Sequence, residues 1–242
     1  DHVCLLWRIC AAREMGESAT SFNNVATDVP AACIPTADAG GPYVTPEGTD
    51  AELDGSGSSE ATDDSAGSLT YAWDLDDDGD YDDATGDSPD FTTVGQDGVF
   101  TIGLEVTDSA SGITDTDSTT VTVTNVAPTV AIGNSGPVAE NTSVTVSGVV
   151  SDAGWLETPL TASIDWGDGS GPQPLTGATE NVRPSATITY SEEHTYGDDG
   201  VFTVTVCAAD DDTSGNCNAT NVTVTNTDPT AAIDTGATGT VD

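Results

Sequence analysis

The stretch Asp97-Gly98-Val99-Phe100-Thr101-Ile102-Gly103-Leu104-Glu105-Val106-Thr107-Asp108 returns 102 residues later (199 − 97) as Asp199-Gly200-Val201-Phe202-Thr203-Val204-Thr205-Val206-Cys207-Ala208-Ala209-Asp210. In both copies Val, Ile and Leu alternate with Thr and other residues, the pattern of a strand buried on one face. Acids and glycines bound each copy, and these residues supply turns. The rest of the chain is organised around this repeated strand. Leu69-Thr70-Tyr71-Ala72-Trp73-Asp74-Leu75 lies opposite Leu160-Thr161-Ala162-Ser163-Ile164-Asp165-Trp166. Thr45 to Ser56 lies opposite Val138 to Val149, and Thr119 to Thr129 opposite Thr220 to Thr230. Three segments open alike at Pro35, Pro128 and Pro229, with spacings of 128 − 35 = 93 and 229 − 128 = 101 residues. Tandem repetition at this period means modules in series. The sequence therefore predicts an all-β chain of two small sandwiches, 35–126 and 127–227. A segment 1–34 precedes them, and 228–242 begins a third repeat or forms an exchanged terminal strand.

Of the 242 residues, 42 are acidic and 3 are basic, giving a formal net charge of -39. The basic residues are Arg8, Arg13 and Arg183, and there is no lysine. Such a chain has nothing to neutralise phosphates, which excludes nucleic acid as a partner. No apolar run approaches the ~20 residues of a membrane-spanning helix, so no membrane insertion is expected. High acidity alone would fit disorder, but the 36% hydrophobic fraction falls in alternating runs and points to folded strands with acidic loops. Self-repulsion of the carboxylates has to be offset, and cations are the obvious means.

Five cysteines are present: Cys4, Cys10, Cys33, Cys207 and Cys217. Cys207 and Cys217 flank the turn Asp210–Gly215 and can form a cross-strand disulfide if the register sets them opposite each other. The pairing of Cys4, Cys10 and Cys33 stays open. No CxxC spacing supports a zinc site, and an oxidising, extracellular or cell-surface setting fits best.

These motifs resemble the polycystic-kidney-disease (PKD) domain, an immunoglobulin-like β-sandwich. The second repeat carries Ile164-Asp165-Trp166-Gly167-Asp168-Gly169, then His194-Thr195-Tyr196, then Gly200-Val201-Phe202-Thr203-Val204. The first carries Trp73-Asp74-Leu75-Asp76-Asp77-Asp78-Gly79 and Gly98-Val99-Phe100-Thr101-Ile102, but has Thr93-Val94-Gly95 where the family has H-x-Y. The resemblance covers residues 35–226. It implies non-catalytic extracellular modules that often bind Ca²⁺ and act as spacers, adhesion units or accessory domains beside hydrolases.

Candidate metal ligands fall into three groups, and several Ca²⁺ ions are expected. The densest is Asp74 to Asp83, with seven Asp in ten residues. Acids at alternate positions before a glycine make the first half of an EF-hand-type loop. Asp74, Asp76, Asp78 and Asp80, with Asp82 or Asp83, would give the oxygen ligands that Ca²⁺ requires. Thr85 at the position of the bidentate Glu rules out a complete EF-hand. The second group joins Asp198 and Asp199 to Asp210, Asp211 and Asp212, with Asp165 and Asp168 nearby. The third is the junction between repeats, where Glu47 matches Glu140 and Asp108 matches Asp210 in the alignment, beside the short linkers Asn125–Pro128 and Asn226–Pro229.

Catalytic patterns are absent: no G-x-S-x-G, HExxH or phosphate loop occurs, and the histidines are His2 and His194 alone. No enzymatic role is expected. Trp73 and Trp166 read as core residues, whereas Trp155, in a Gly-containing segment, is a candidate for stacking on sugar. Asn141-Thr142-Ser143, Asn218-Ala219-Thr220 and Asn221-Val222-Thr223 fit the glycosylation sequon. An apolar start, Val3-Cys4-Leu5-Leu6-Trp7, and an unfinished last repeat suit head-to-tail assembly by strand addition, or packing against neighbouring repeats of a longer protein. Two functions follow. One is a Ca²⁺-stiffened structural module of a fibre, surface layer or adhesin stalk. The other is a polysaccharide- or protein-binding accessory region of a secreted hydrolase.

Overall fold

The computed structural model describes residues 34–61, 68–92, 95, 97–109, 112–154, 160–175, 178–182 (backbone only), 185–210 and 215–229. The expectations for 1–33, Trp155, Asp211, Asp212 and 230–242 lie outside them. The chain divides into two compact units, Asp1–Val126 and Ala127–Asp242. All regular elements among the described residues are strands.

The first unit contains β1 (Tyr43–Pro46), β2 (Ala51–Glu52), β3 (Leu69–Asp74), β4 (Ala84–Thr85), β5 (Asp90–Phe91), β6 (Gly98–Asp108) and β7 (Thr114–Thr124). Its main sheet has the order β1-β7-β6-β3-β4, and β2 pairs with β5 in a small second sheet. β1 runs parallel to β7, while β6 is antiparallel to β7 and to β3. The repeated strand is β6. Its alternation sends Ile102, Leu104 and Val106 into the core, each 0% exposed. Trp73, opposite Leu104, joins them with Leu53, Phe91, Val121 and Val123. The Trp73 indole N–H donates to the Gly86 carbonyl at 2.9 Å, so burying the ring leaves no donor unsatisfied.

The second unit contains β8 (Thr129–Asn134), β9 (Val138–Ala139), β10 (Ser143–Asp152), β11 (Thr161–Asp165), β12 (Gln173–Pro174), β13 (Ala178–Val182), β14 (Ser185–Thr195), β15 (Gly200–Ala209) and β16 (Gly215–Thr225). Two sheets, β13-β14-β10-β8 and β12-β11-β15-β16-β9, enclose a core of Val144, Val146, Val150, Ile164, Trp166, Tyr190, Val204, Val206 and Val222. This is an immunoglobulin-like sandwich. The long hairpin β15–β16 sets Cys207 opposite Cys217, and the two are joined by a disulfide.

The tryptophans sit two positions apart in the repeat, Trp166 opposite Leu75 and Trp73 opposite Ile164. Positions two apart on a strand share a face. Both rings therefore reach their cores, at 0% and 3% exposure, and neither offers a sugar platform.

The inward rows continue past their apolar residues. Asp108 follows Val106 at the same two-residue step and is 0% exposed; Asp152 follows Val150 and Asp210 follows Ala208, at 3% and 7%. These three acids close the rows of β6, β10 and β15 at the strand ends.

Candidate metal centre

The loop from β3 to β4 holds the acidic run. It reverses through two residues with left-handed backbone, Asp77 (φ 60°) and Gly79 (φ 92°). Asp74, 4% exposed at the end of β3, turns its carboxylate into the loop. There it accepts the N–H of Gly79 at 2.9 Å and of Asp78 at 3.3 Å. Asp83 returns across the hairpin: its N–H donates to Trp73 O, and its Oδ2 accepts the Leu75 N–H at 2.7 Å.

Asp74, Asp76 and Asp83 are thereby brought together, with one carboxylate oxygen from each lying within 4.8 Å of the others. Asp78, Asp80 and Asp82 are outside this trio. Asp78 accepts the Asp80 N–H at 2.8 Å, so its carboxylate serves the turn. Desolvation, followed by repulsion from Asp78 and Asp83, raises the Asp76 carboxyl above its ordinary value. The trio is an unbalanced concentration of negative charge. Its oxygen spacing suits a shared hard cation, because ligands each ~2.4 Å from a Ca²⁺ ion lie no more than about 5 Å apart.

Among the described residues, the acids of the second group are not all brought together. Asp198 and Asp199 precede β15, and Asp210 follows it. A ten-residue strand at ~3.3 Å per residue holds them roughly 30 Å apart. Asp198 and Asp199 instead meet Glu140, again within 4.8 Å. Glu47 and Asp108 are separated in the same way. Glu47 follows β1 at the Thr124 end of β7, and Asp108 ends β6 beside Thr114. Asp165 and Asp168 each close a local turn, accepting from Gly167 N and Ser170 N, both at 2.9 Å.

Glu47 and Glu140 do share a task. The Glu47 N–H donates to Thr124 O, and Glu47 Oε1 accepts the Val126 N–H at 2.8 Å. The Glu140 N–H donates to Thr225 O, and Glu140 Oε1 accepts the N–H of Thr227 at 3.0 Å and its hydroxyl at 2.7 Å. Each glutamate holds the chain where it leaves the last strand of its unit. The Thr227 bonds, backbone first, lower the Glu140 carboxyl.

Asp115 and Asp117 were not singled out from sequence. They lie on one face of β7, and their Oδ2 atoms accept the N–H groups of Ala37 and Ala39, both at 2.9 Å. The D-T-D alternation was the available signal, since acids two apart on a strand point the same way.

His194 is the only basic side chain among the described residues. It lies flat on Trp166 (centroids 4.7 Å apart), meets Tyr196 edge-on and contacts Asp168 Oδ2 through Nε2 at 2.9 Å. The Tyr196 hydroxyl donates to Trp166 O at 2.9 Å. Burial, then the Asp168 charge, pushes the Tyr196 phenol up to about 12. This is a structural stack rather than a nucleophile and base. A shallow depression over β11, β12 and β15, lined by Ser163, Pro174 and Cys207 among others, presents no ionisable group.

Residues 33–123 match the family model described as PKD domain. No curated protein matches the chain. Among solved structures, the PKD1 domain of Vibrio anguillarum Epp is similar at 19% identity over 42% of this chain and 96% of that one, with a TM-score of 0.30. The PKD domain of an M14-like peptidase from Thermoplasmatales archaeon SCGC AB-540-F20 is similar at 23% identity over 42% and 98%, TM-score 0.30. The titin domains z1z2 in complex with telethonin are similar at 14% identity over 80% and 98%, TM-score 0.37.

Proposed function

With residues 33–123 a PKD domain, and the next unit repeating its motifs, we propose that the chain is a non-catalytic, extracellular structural module. Its sandwiches serve as rigid units in series within a fibre, surface layer or adhesin stalk, and Ca²⁺ stiffens their loops. The observation that carries this reading is the repetition of one plan. Both units fill their interiors with side chains, and both fasten the departing chain with the same glutamate bond, Glu47 to Val126 and Glu140 to Thr227. A chain built to transmit position along itself needs closed cores and secured exits. A substrate cleft would interrupt both.

The residues available to hold Ca²⁺ are Asp74, Asp76 and Asp83 in the first unit, and Glu140, Asp198 and Asp199 in the second. Second carboxylate oxygens, the neighbouring Asp78 and Asp80, and water would complete the six to eight oxygens that Ca²⁺ takes. A bound cation would offset the repulsion that raises Asp76. Assembly is proposed as head-to-tail, with like copies or with further repeats.

Negative-stain imaging of native material in Ca²⁺ and after chelation tests the reading. Strings or filaments that loosen on chelation are expected. Monodisperse single chains at high concentration in Ca²⁺ would overturn the assembly. Calorimetric titration tests the metal separately, and an absence of Ca²⁺ heat removes that part alone.

A further inference from the structure

We propose that Asn141 is a glycosylation site carrying an N-linked oligosaccharide at the end of the second unit. Three sequons occur in this unit, and their surroundings differ. Asn218 Nδ2, the atom that would be modified, donates to Val130 O at 2.9 Å, and its Oδ1 accepts the Ala219 N–H. Asn221 lies inside β16 opposite Thr203 of β15, and its Oδ1 accepts the Thr203 hydroxyl at 3.1 Å. The carboxamide of Asn218 is thus held through Nδ2 and that of Asn221 through Oδ1.

All three asparagines are exposed, but Asn141 differs in its backbone setting and its side-chain bonding. It sits in the turn between β9 and β10, closed by Thr142 N–H to Ala139 O at 3.1 Å. Asn141, Thr142 and Ser143 are all exposed. The Asn141 side chain makes no hydrogen bond among the described residues, so its amide is free to react. The left-handed turn itself favours asparagine, which tolerates positive φ better than most residues other than glycine. Asn141 has φ 59°, and Gly48 takes the matching place in the first unit at φ 73°. Glycine satisfies that geometry without a side chain. The second unit has an asparagine there, followed two residues later by the hydroxyl of Ser143, which completes the sequon.

The chemistry is the transfer of an oligosaccharide from a lipid-linked phosphate donor. Asn141 Nδ2 bonds to the anomeric carbon, the bond from that carbon to the lipid phosphate oxygen breaks, and the lipid phosphate departs. One Nδ2 proton passes to a base of the transferase. The glycan would project beside Glu140 and the departing residue Thr227, at an end of the unit rather than over a sheet.

The inference rests on the extracellular reading, because the donor and transferase act on exported chains. The test is glycopeptide mass spectrometry on native protein cut at acidic residues, run on the medium or surface fraction and on the cell interior. Expected is a series of sugar masses on the peptide containing Asn141, localised to that residue by fragmentation, with Asn218 and Asn221 bare. Asn141→Gly, which keeps the left-handed turn as Gly48 does, should lose the mass and retain the fold by circular dichroism. Exported protein with bare Asn141 overturns the inference and leaves the extracellular reading standing. Protein confined to the cell interior and bare at Asn141 overturns both. Sugar on Asn218 or Asn221 with none on Asn141 overturns the structural argument that separates them.

Discussion

Asp76 tests whether the β3–β4 loop is a designed concentration of charge. Its carboxyl is raised, so the folded state holds its proton more tightly than the unfolded state does. For a raised acid the linkage sign is unfavourable: the cost is absent at low pH, appears as pH rises through the folded value, and is complete at neutrality. Asp76→Asn removes that cost without removing an acceptor, because an amide oxygen can still take the Asp78 N–H bond at 3.3 Å. Without divalent ions, Asp76→Asn should melt at a higher temperature than the parent. With Ca²⁺ the order should reverse, because the variant has lost a ligand charge. Thermal melts of both proteins with Ca²⁺ and with chelator decide this. A variant less stable than the parent in chelator would mean that Asp76 holds the loop by a bond. Asp74 is a poorer probe, since its carboxylate binds two backbone N–H groups and its loss would disturb the turn itself.

At the level of strands, Gly148 and the β15–β16 hairpin carry the clearest expectations. Gly148 lies in β10 between Ile132 of β8 and Tyr190 of β14. The Tyr190 hydroxyl crosses the glycine to donate to Ala131 O at 2.8 Å. A Cβ at Gly148 would enter the Ala131 carbonyl oxygen and come within 2.7 Å of the hydroxyl. Gly148→Ala should therefore cost about 3 kcal/mol by overpacking and loss of the bond. Tyr190→Phe, which loses only the bond, should cost about 1 kcal/mol; equal losses in denaturant titrations would refute the steric account. Replacing Cys207 and Cys217 by Ala opens a loop with a sequence separation of 10 and should cost at most about 3 kcal/mol by the chain-entropy argument. Much of the strand architecture was legible in the sequence, because period-two alternation is local: β6, β15 and the Cys207–Cys217 hairpin all follow from it. The second acidic group was not. Asp198 and Asp210 are twelve positions apart (210 − 198), and only the fact that a strand occupies the interval places them at opposite ends. In the β3–β4 loop, Asp74, Asp76 and Asp83 from the run singled out in the sequence do come together, around a backbone that turns left-handed at Asp77 and Gly79. Asp108, Asp152 and Asp210 could have been placed by extending each inward row one step beyond its last apolar residue.

For the whole molecule the question is how a chain of net charge -39 stays folded. Cationic side chains cannot supply the answer, since His194 alone among the described residues can pair with an acid. The acids turn to the backbone. Asp38, Asp54, Asp74, Asp78, Asp83, Asp115, Asp117, Asp165, Asp168, Glu47 and Glu140 each accept at least one N–H group. These bonds fix turns and chain exits, but they leave the net charge in place. That charge repels itself across distances that salt can screen, with a Debye length of ~10 Å at 0.1 M. Raising NaCl should therefore raise the melting temperature steadily. Ca²⁺ should raise it further at matched ionic strength if it occupies the trios. Acid acts in the opposite sense. Ser56, Thr227 and Ser170 lower Asp54, Glu140 and Asp168 through hydrogen bonds. A lowered acid contributes stability that is complete above its unfolded value and lost as pH falls through the folded one. Their contribution is thus intact at neutrality and disappears below about pH 4. At the alkaline end Tyr196 has the reverse sign: its stabilisation is whole below its ordinary value of 10.0 and lost as pH rises towards about 12. Melting temperature against pH should form a plateau bounded by these two losses, and added salt should lift it most where the carboxylates are ionised. A melting temperature that is flat in salt at pH 7 would show that the backbone bonds and the fold have already absorbed the repulsion. A salt response that survives at pH 3 would place its origin in apolar burial instead of charge.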